Sequence, residues 1–192
     1  MLYPLLFETS LFPIVWGGNR LRQMKGMTPS CEPVGESWEV SAVPGKESVV
    51  LNGELAGKNL RELCQQYGAD LLGGAVHRKF AGEFPMLIKF IDAESDLSIQ
   101  VHPDDSVAMQ RHGSMGKTEM WYVVDAKPGT YLYAGFSKSI TSEEYRRRVE
   151  DGTICEVLAK HPIRMGDAFF IPAGRVHAIC GGALIAEVQQ SS

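Results

Sequence analysis

The sequence predicts a β-rich fold with a few short helices, built as a single domain over residues 1–192. The chain contains 20 glycines and 10 prolines, and these residues place turns between stretches that are short enough to be strands. Hydrophobic residues make up 44% and charged residues 22%, which is ordinary for a globular domain with one sizeable core. These observations favour a β-rich domain over a helical bundle.

Two strand-like stretches lie in the first third of the chain. Residues 37–43 and 47–51 contain residues that favour strands, and Pro44-Gly45 between them is a turn signal. We expect a hairpin or a sheet edge here.

A short amphipathic helix is predicted over residues 59–67. Its apolar residues fall on one side at helical spacing, and Gly68 stands where the helix would end. That apolar side consists of Leu60, Leu63 and Cys64. We expect the region around residues 58–73 to be a helical insertion that caps an opening of a β-barrel.

The centre of the chain predicts two consecutive strands. Residues 86–91 are apolar apart from Lys89, residues 92–96 are turn-like, and residues 97–102 alternate in character. Successive side chains of a strand point to opposite faces. One face would carry Leu97, Ile99 and Val101, and the other Ser98, Gln100 and His102. If both faces were buried, the polar one would need a partner such as a metal ion.

The second half of the chain alternates strands with short helices. Asp104 or Asp105 is expected to cap a helix that runs to about residue 111, and another helix is expected over residues 142–150. Strands are predicted at residues 119–124, 131–136, 168–171 and 184–189.

The charge pattern excludes several classes of partner. The net charge is −4 and basic residues form no long run, so the electrostatic footprint of a nucleic-acid-binding protein is missing. The apolar start, residues 1–7, is too short for a signal peptide or a membrane span. The four cysteines lie far apart, without metal or disulfide spacing. We therefore predict a cytoplasmic protein with reduced thiols that binds neither nucleic acid nor membrane.

A candidate metal site emerges from three separated segments. A glycine-aspartate turn at Gly166 leads into an apolar strand, and the tight turn Pro172-Ala173-Gly174 then points His177 inward. This spacing resembles the second conserved motif of the cupin superfamily, in which the histidine is a metal ligand. The candidate ligands are Gln100, His102, Glu119 and His177. Two imidazoles, one carboxylate and one amide oxygen suit a divalent cation, zinc first.

Each candidate ligand also has a simpler interpretation. His102 could end a strand, Glu119 could be a surface charge, and His177 could be a hydrogen-bonded turn residue. An iron or manganese oxygenase site is a weaker alternative, because such sites favour two histidines with a carboxylate and Gln100 would be an unusual addition.

Several segments resemble the type I mannose-6-phosphate isomerases, and the resemblance covers essentially the whole chain. The Gln-x-His-Pro-Asp segment that starts at Gln100 is the most specific of them. The segments are Trp16-Gly17-Gly18, Gly35 to Trp38, Pro85 to Phe90, Leu97 to Asp104, Gly116 to Tyr122 and Gly166 to Ala178. The resemblance implies a cupin barrel, that is, a double-stranded β-helix or jelly roll. It also implies one Zn²⁺ per chain, bound by Gln100, His102, Glu119 and His177.

The resemblance further implies which residues contact the substrate. By it, Trp16 lies at the pocket rim, and Lys117 and Glu187 are the catalytic groups. The pocket itself would be lined by Lys89, Ser98, Lys117 and Glu187. Ammonium groups suit a sugar phosphate or a developing oxyanion, although lysines also extend from strand ends into water. Glu187 could equally be an exposed strand carboxylate.

The activity that the resemblance implies is the interconversion of mannose 6-phosphate and fructose 6-phosphate through a cis-enediol. The partner would be a hexose 6-phosphate, and the protein a monomer or homodimer. Family members continue beyond the position of Ser192 with an Asp-to-Arg stretch that supplies a catalytic arginine, and then with a smaller β-domain. We therefore expect either a fragment or a shortened protein, truncated before that arginine. The alternative is a non-catalytic metal-binding module that binds a sugar phosphate or supports an assembly.

Overall fold

Nine β-strands form the framework of the structure, a computed structural model that describes residues 2–191. The strands are β1 (Ser10–Gly18), β2 (Val34–Val40), β3 (Met86–Asp92), β4 (Glu119–Ala126), β5 (Tyr131–Phe136), β6 (Leu158–Pro162), β7 (Ala168–Ile171), β8 (His177–Ile179) and β9 (Ala183–Gln190). The helices are α1 (Arg20–Met24), α2 (Leu60–Tyr67), α3 (Ala69–Leu72), α4 (Gly74–Lys79), α5 (Asp105–His112) and α6 (Ser142–Glu150). Two 3₁₀ turns, Gly53–Leu55 and Ile154–Val157, complete the secondary structure of the described residues.

The strands form two antiparallel sheets that pack against each other. The larger sheet has the order β1-β2-β3-β9-β4-β7, and the smaller has the order β6-β5-β8. Side chains from both sheets meet in one core cluster, which includes Ile91, Trp121, Val123 and Ile185 from the larger sheet and Leu132 and Ile179 from the smaller. The predicted β-rich, cupin-like fold class is confirmed.

The inner face of the larger sheet changes from apolar to polar along its strands. Strand β9 pairs with β3 over seven positions and with β4 on its other side. Ile185 lies opposite both Ile91 and Val123, which gives an apolar row. Two positions along the strand, where side chains return to the same face, Glu187 lies opposite Lys89 and Trp121. The apolar rows build the core, and the polar rows line one end of it.

The helical insertion forms a separate layer beside the sheets. Its first helix, α2, begins with a capping box in which Asn59 and Glu62 satisfy each other's backbone N–H groups. Gly68 ends the helix at a positive φ of 49°. The predicted helix is confirmed, and helical structure then continues through Lys79, beyond the predicted end of the insertion. The buried face of α2 packs against the N-terminal segment and residues 42–55.

Residues 97–102 differ from the predicted strand. The segment runs beside β8, but only an isolated bridge between Gln100 and His177 is formed. Leu97 packs against the core cluster, whereas Ile99 is 37% and Val101 47% exposed. The expectation of a shared apolar core face for these three residues is therefore wrong, because the segment lies at the edge of the smaller sheet and its outer side is exposed.

A buried ion pair fixes α1 to the larger sheet. The Arg20 guanidinium lies 2.7 Å from the carboxylate of Asp92, which is completely buried. The same guanidinium donates to the backbone carbonyls of Gly182 and Ala183. Arg20 thus joins α1, β3 and the turn before β9.

Candidate active site and metal centre

A cavity of about 180 Å³ opens at the polar end of the core. It is lined by Trp16, Lys89, Ser98, Gln100, Lys117, Glu119, His177 and Glu187, together with Glu36, Trp121 and several apolar residues. The structure therefore brings eight of the nine predicted site residues to one cavity. The ninth, His102, lines a neighbouring cleft, and its ring nitrogen Nε2 lies 3.3 Å from the carboxylate of Glu119.

His102, Glu119 and His177 form a compact cluster of possible metal ligands. One ligand atom from each lies within 4.8 Å of the others. The Nε2 atom of His102 is 3.3 Å from one Glu119 carboxylate oxygen, and Nε2 of His177 is 3.5 Å from the other. The two imidazole rings are 4.9 Å apart between centroids. Such an arrangement of two imidazoles about one carboxylate is typical of a divalent metal site.

The local fold orients the His177 ring toward this cluster. The turn at residues 172–174 reverses the chain before β8, and Gly174 occupies the left-handed region at φ 81°. The Nδ1 atom of His177 lies 2.8 Å from the carbonyl oxygen of Arg175. Because a carbonyl only accepts, Nδ1 carries the proton and the Nε2 lone pair faces Glu119.

Orphaned buried atoms show that these residues fit a metal ion. Nε2 of His102 and Oε2 of Glu119 are buried, yet neither has a hydrogen-bond partner within residues 2–191. Buried polar atoms normally have one, and a cation bound between them would supply it. Gln100 lies next to the cluster, because its backbone exchanges two hydrogen bonds of 2.9 Å with that of His177.

The protonation states of the cluster also suit a metal ligand set. Burial raises the pKa of Glu119, but contact with the His102 ring and the charge of Lys117 outweigh it and lower the pKa to about 2. Burial lowers the pKa of His177 despite the favourable contacts with the Arg175 carbonyl and Glu119. Both groups therefore adopt the deprotonated forms that coordinate metals.

Lys117 borders the cluster on the cavity side. Its Nζ atom is 3.0 Å from Oε1 of Glu119. A backbone hydrogen bond from Lys117 N to the Pro103 carbonyl ties the segment before β4 to the turn after His102. The lysine is therefore held beside the candidate metal site and does not extend freely into water.

A second charged cluster lines the cavity from strands β2, β3 and β9. Nζ of Lys89 lies 2.8 Å from Glu36 and 3.3 Å from Glu187. Burial lowers the pKa of Lys89, but the two carboxylates outweigh it and raise the pKa overall. Burial raises the pKa of Glu187, partly offset by the charge of Lys89. This wall thus holds a fixed positive charge next to a carboxyl group that gains protons readily.

The sequence prediction assigned no role to Glu36 and Gln189. Glu36 lines the cavity and binds Lys89. It lies one residue before the predicted strand over residues 37–43, and the only signal for it was its place in the Gly35 to Trp38 segment that carries the family resemblance. Gln189 is buried opposite Glu119, and its Oε1 atom has no hydrogen-bond partner among the described residues.

The fold and the site together define a cupin-like β protein with a candidate metal centre inside its cavity. The family model of the phosphomannose isomerase type I catalytic domain matches residues 6–133. The chain is 40% identical, over its whole length, to the probable mannose-6-phosphate isomerase GmuF of Bacillus subtilis and to the mannose-6-phosphate isomerase of Streptococcus mutans. The chain therefore belongs to the type I phosphomannose isomerase family.

Solved structures give the same result. The mannose 6-phosphate isomerase of Bacillus subtilis superposes on 98% of this chain with a TM-score of 0.89 and 35% identity. A putative mannosephosphate isomerase of Archaeoglobus fulgidus gives a TM-score of 0.84 at 29% identity, also over 98% of this chain. The chain spans 59% of the Bacillus structure and of the two curated relatives, and 62% of the Archaeoglobus structure.

Proposed function

We propose that the chain is a metal-dependent aldose–ketose isomerase that interconverts mannose 6-phosphate and fructose 6-phosphate. The observation that carries the proposal is the meeting, in one cavity, of the His102–Glu119–His177 cluster with two lysines and a buried carboxyl group. The names of the relatives supply the substrate.

The metal in this proposal is one Zn²⁺, bound by Gln100, His102, Glu119 and His177. Nitrogen and oxygen donors of this kind suit zinc, and expansion of its shell from four to five ligands would admit a sugar oxygen. When bound, zinc polarises the sugar oxygens without changing its own oxidation state. Gln100 is included because of its place in the cavity and beside His177.

Glu187 is proposed to carry the proton between the two carbon atoms of the sugar. In the open-chain aldose, Glu187 would take the C2 proton while O1 gains a proton, which gives the cis-enediol. Glu187 would then return its proton to C1 while O2 loses a proton and the C2 carbonyl forms, so no external oxidant or reductant is needed. Oε2 of Glu187 accepts a hydrogen bond of 2.7 Å from Trp121, while Oε1 lies 3.3 Å from the ammonium group of Lys89. Burial raises the pKa of Glu187, which favours uptake of a proton by this carboxylate.

Lys117 and Lys89 supply the positive charge that the reaction requires. Lys117 lies beside the candidate metal site, where an ammonium group would stabilise the negative charge that develops on the enediol oxygens. Lys89 lies on the wall with Glu187 and is proposed to bind the substrate. Ser98 and Trp16 line the same cavity and are proposed to contact the sugar and to form the rim.

The setting of the protein is part of the same proposal. All four cysteines are free thiols, two buried and two exposed, which fits a reducing compartment such as the cytoplasm. Within residues 2–191, no helix has the length and apolar character needed to cross a membrane. A monomer or a homodimer remains the proposed state.

An assay of the purified chain tests the proposed activity. The zinc-loaded protein is incubated with mannose 6-phosphate, and fructose 6-phosphate is measured through a coupled enzyme. We expect turnover that a chelator removes and that returns with zinc, and we expect Glu187→Gln to lower kcat by about a hundredfold or more. Zinc binding and mannose 6-phosphate binding without turnover would contradict the proposal and favour the non-catalytic module.

A further inference from the structure

The ammonium group of Lys89 is held between two carboxylates at the cavity wall. Its Nζ atom donates a hydrogen bond of 2.8 Å to Oε1 of Glu36 and lies 3.3 Å from Oε1 of Glu187. The side chain is only 9% exposed, and the residue lines the cavity. An ammonium group has three N–H bonds, so one remains for a group inside the cavity. The direction of that third N–H depends on where the two carboxylates stand.

Each of these carboxylates accepts a hydrogen bond from the indole N–H of a tryptophan. Nε1 of Trp121 donates to Oε2 of Glu187 at 2.7 Å, and Nε1 of Trp38 donates to Oε2 of Glu36 at 2.7 Å. The Glu187 side chain is 3% exposed and is enclosed by the core, whereas that of Glu36 is 16% exposed. Glu36 has less packing to hold it, so its position depends more on the indole hydrogen bond.

Trp38 itself is fixed from outside the cavity. It lies directly opposite Lys89 in the pairing of β2 with β3. Its ring packs on Phe12 with centroids 4.7 Å apart, and Nζ of Lys46 lies 4.9 Å from the ring centroid. Trp38 is not among the cavity-lining residues. Its side-chain hydrogen bond to a cavity-lining residue is the one to Glu36.

We propose that Trp38 is a positioning residue that fixes Glu36 and thereby directs the ammonium group of Lys89 into the cavity. Without the indole donor, Oε2 of Glu36 loses its hydrogen-bond partner, and the carboxylate turns toward solvent to replace it. Lys89 then keeps only Glu187 as a close partner, and its ammonium group moves away from the side of β2. The effect on Lys89 follows from geometry alone. The effect on turnover rests on the proposed isomerase function.

The ammonium signal of Lys89 tests the positioning directly. In zinc-loaded chain labelled with ¹⁵N-lysine, the signal is identified by its loss in Lys89→Met, and its exchange with water is measured by NMR. We expect Trp38→Phe, which keeps an aromatic ring and removes the N–H, to speed this exchange about tenfold or more. Glu36→Gln, which keeps Trp38, should have a similar effect.

Phe12→Leu is the matched control, because it loosens the packing of Trp38 but leaves its N–H in place. We expect the exchange of the Lys89 signal in this variant to stay within about twofold of the wild type. Unchanged exchange in Trp38→Phe or in Glu36→Gln overturns the proposal. So does an equal acceleration in Phe12→Leu, because packing alone would then explain the effect.

Turnover provides the second readout. If the wild-type chain isomerises mannose 6-phosphate, we expect Trp38→Phe to lower kcat/KM about tenfold. Adding Trp38→Phe to Glu36→Gln should cost less than about twofold more, because both act on the same contact. Independent, additive losses would overturn the proposed route through Glu36. A wild-type chain without turnover would refute the isomerase function, while the Lys89 signal would still decide whether Trp38 positions the lysine.

Discussion

Glu119 is the residue that the two histidines of the candidate metal site share. Its two carboxylate oxygens face His102 and His177 separately, and Lys117 contacts one of them. The carboxylate thus joins the candidate metal site to the cavity. We expect substitutions of these ligands to abolish metal binding without unfolding the protein. The core forms without the zinc ion, which only adds stability to the folded state.

The two histidines of the candidate metal site should be required for zinc binding. We expect His102→Ala and His177→Ala to reduce bound zinc from about one ion per chain to less than about a tenth, as each removes one of few protein ligands. Metal analysis after dialysis measures this ratio. The control is His112→Ala, since His112 is exposed on α5 and outside the cluster. Full zinc content in both ligand variants would reject the assignment.

The pKa of Glu119 gives a prediction for the metal-free chain. The folded-state pKa of about 2 lies below the usual 4.5, so the unfolded state binds more protons between these values. The stabilisation by this carboxylate is therefore present above about pH 4.5 and is lost as the pH falls toward 2, on the order of 3 kcal/mol. Urea unfolding of the chelator-treated protein measures it. Glu119→Gln should flatten this part of the pH profile, and an unchanged profile would contradict the assignment.

The close approach of β1 and β2 controls the position of Trp16. The two strands approach closely at glycines, where a Cβ atom on Gly35 would lie 2.7 Å from the Trp16 ring and 2.8 Å from Ile14. There is consequently no room for a side chain at this position. The Trp16 ring lines the cavity only because Gly35 leaves this space.

Gly35→Ala therefore should displace the Trp16 ring and destabilise the protein by about 1–3 kcal/mol through overpacking. Unfolding in urea measures the stability, and mannose 6-phosphate titration measures the binding, which we expect to weaken. Gly74→Ala is the control, because a Cβ there meets only the flexible end of Arg78 at 3.4 Å. Equal stability of Gly35→Ala and wild type would contradict this prediction. It would show that β1 and β2 can move apart to accommodate the methyl group at little cost.

Elements with local signals could be predicted from the sequence. Helix α5 matches its prediction because Asp104 caps it and Gly113 ends it in the left-handed region, and both signals lie within the segment. Strand β4 follows from its own alternation. The secondary structure of residues 97–102 was harder to predict from the sequence. Their hydrogen bonding depends on β8, which lies some 75 residues further along the chain.

The residues of the candidate site likewise differ in whether the sequence could predict them. The grouping of His102, Glu119 and His177 was predicted from motif spacing together with family resemblance, and the geometry agrees. Glu36 was missed because its role depends on pairing with Lys89, which is 53 residues away in sequence. Such cross-strand ion pairs leave no periodic signal in either segment alone.

Arg20 connects segments of the chain that are far apart in the sequence. It links α1 to the fully buried Asp92 and to the carbonyls of Gly182 and Ala183. Removing the guanidinium would leave a buried carboxylate without its charged partner, which is among the most costly changes in a protein interior.

We expect Arg20→Met to lower the free energy of unfolding by about 3–5 kcal/mol. Denaturant unfolding measures the change. Lys127→Met is the matched control, because the Lys127–Glu94 pair is about half exposed on both sides and should contribute less than about 1 kcal/mol. A similar small loss in both variants would mean that Asp92 is stabilised by other contacts.

The candidate metal centre and the proposed isomerase function both depend on one cation bound at the cavity. Anomalous diffraction at the zinc edge, from crystals of the zinc-loaded chain, tests this most directly. We predict a single strong peak at about 2.0–2.2 Å from Nε2 of His102, Nε2 of His177 and a carboxylate oxygen of Glu119, with the Gln100 amide oxygen as the fourth protein ligand. A peak bound elsewhere, or one that contacts only one of these side chains, would contradict the metal centre and the isomerase proposal that rests on it.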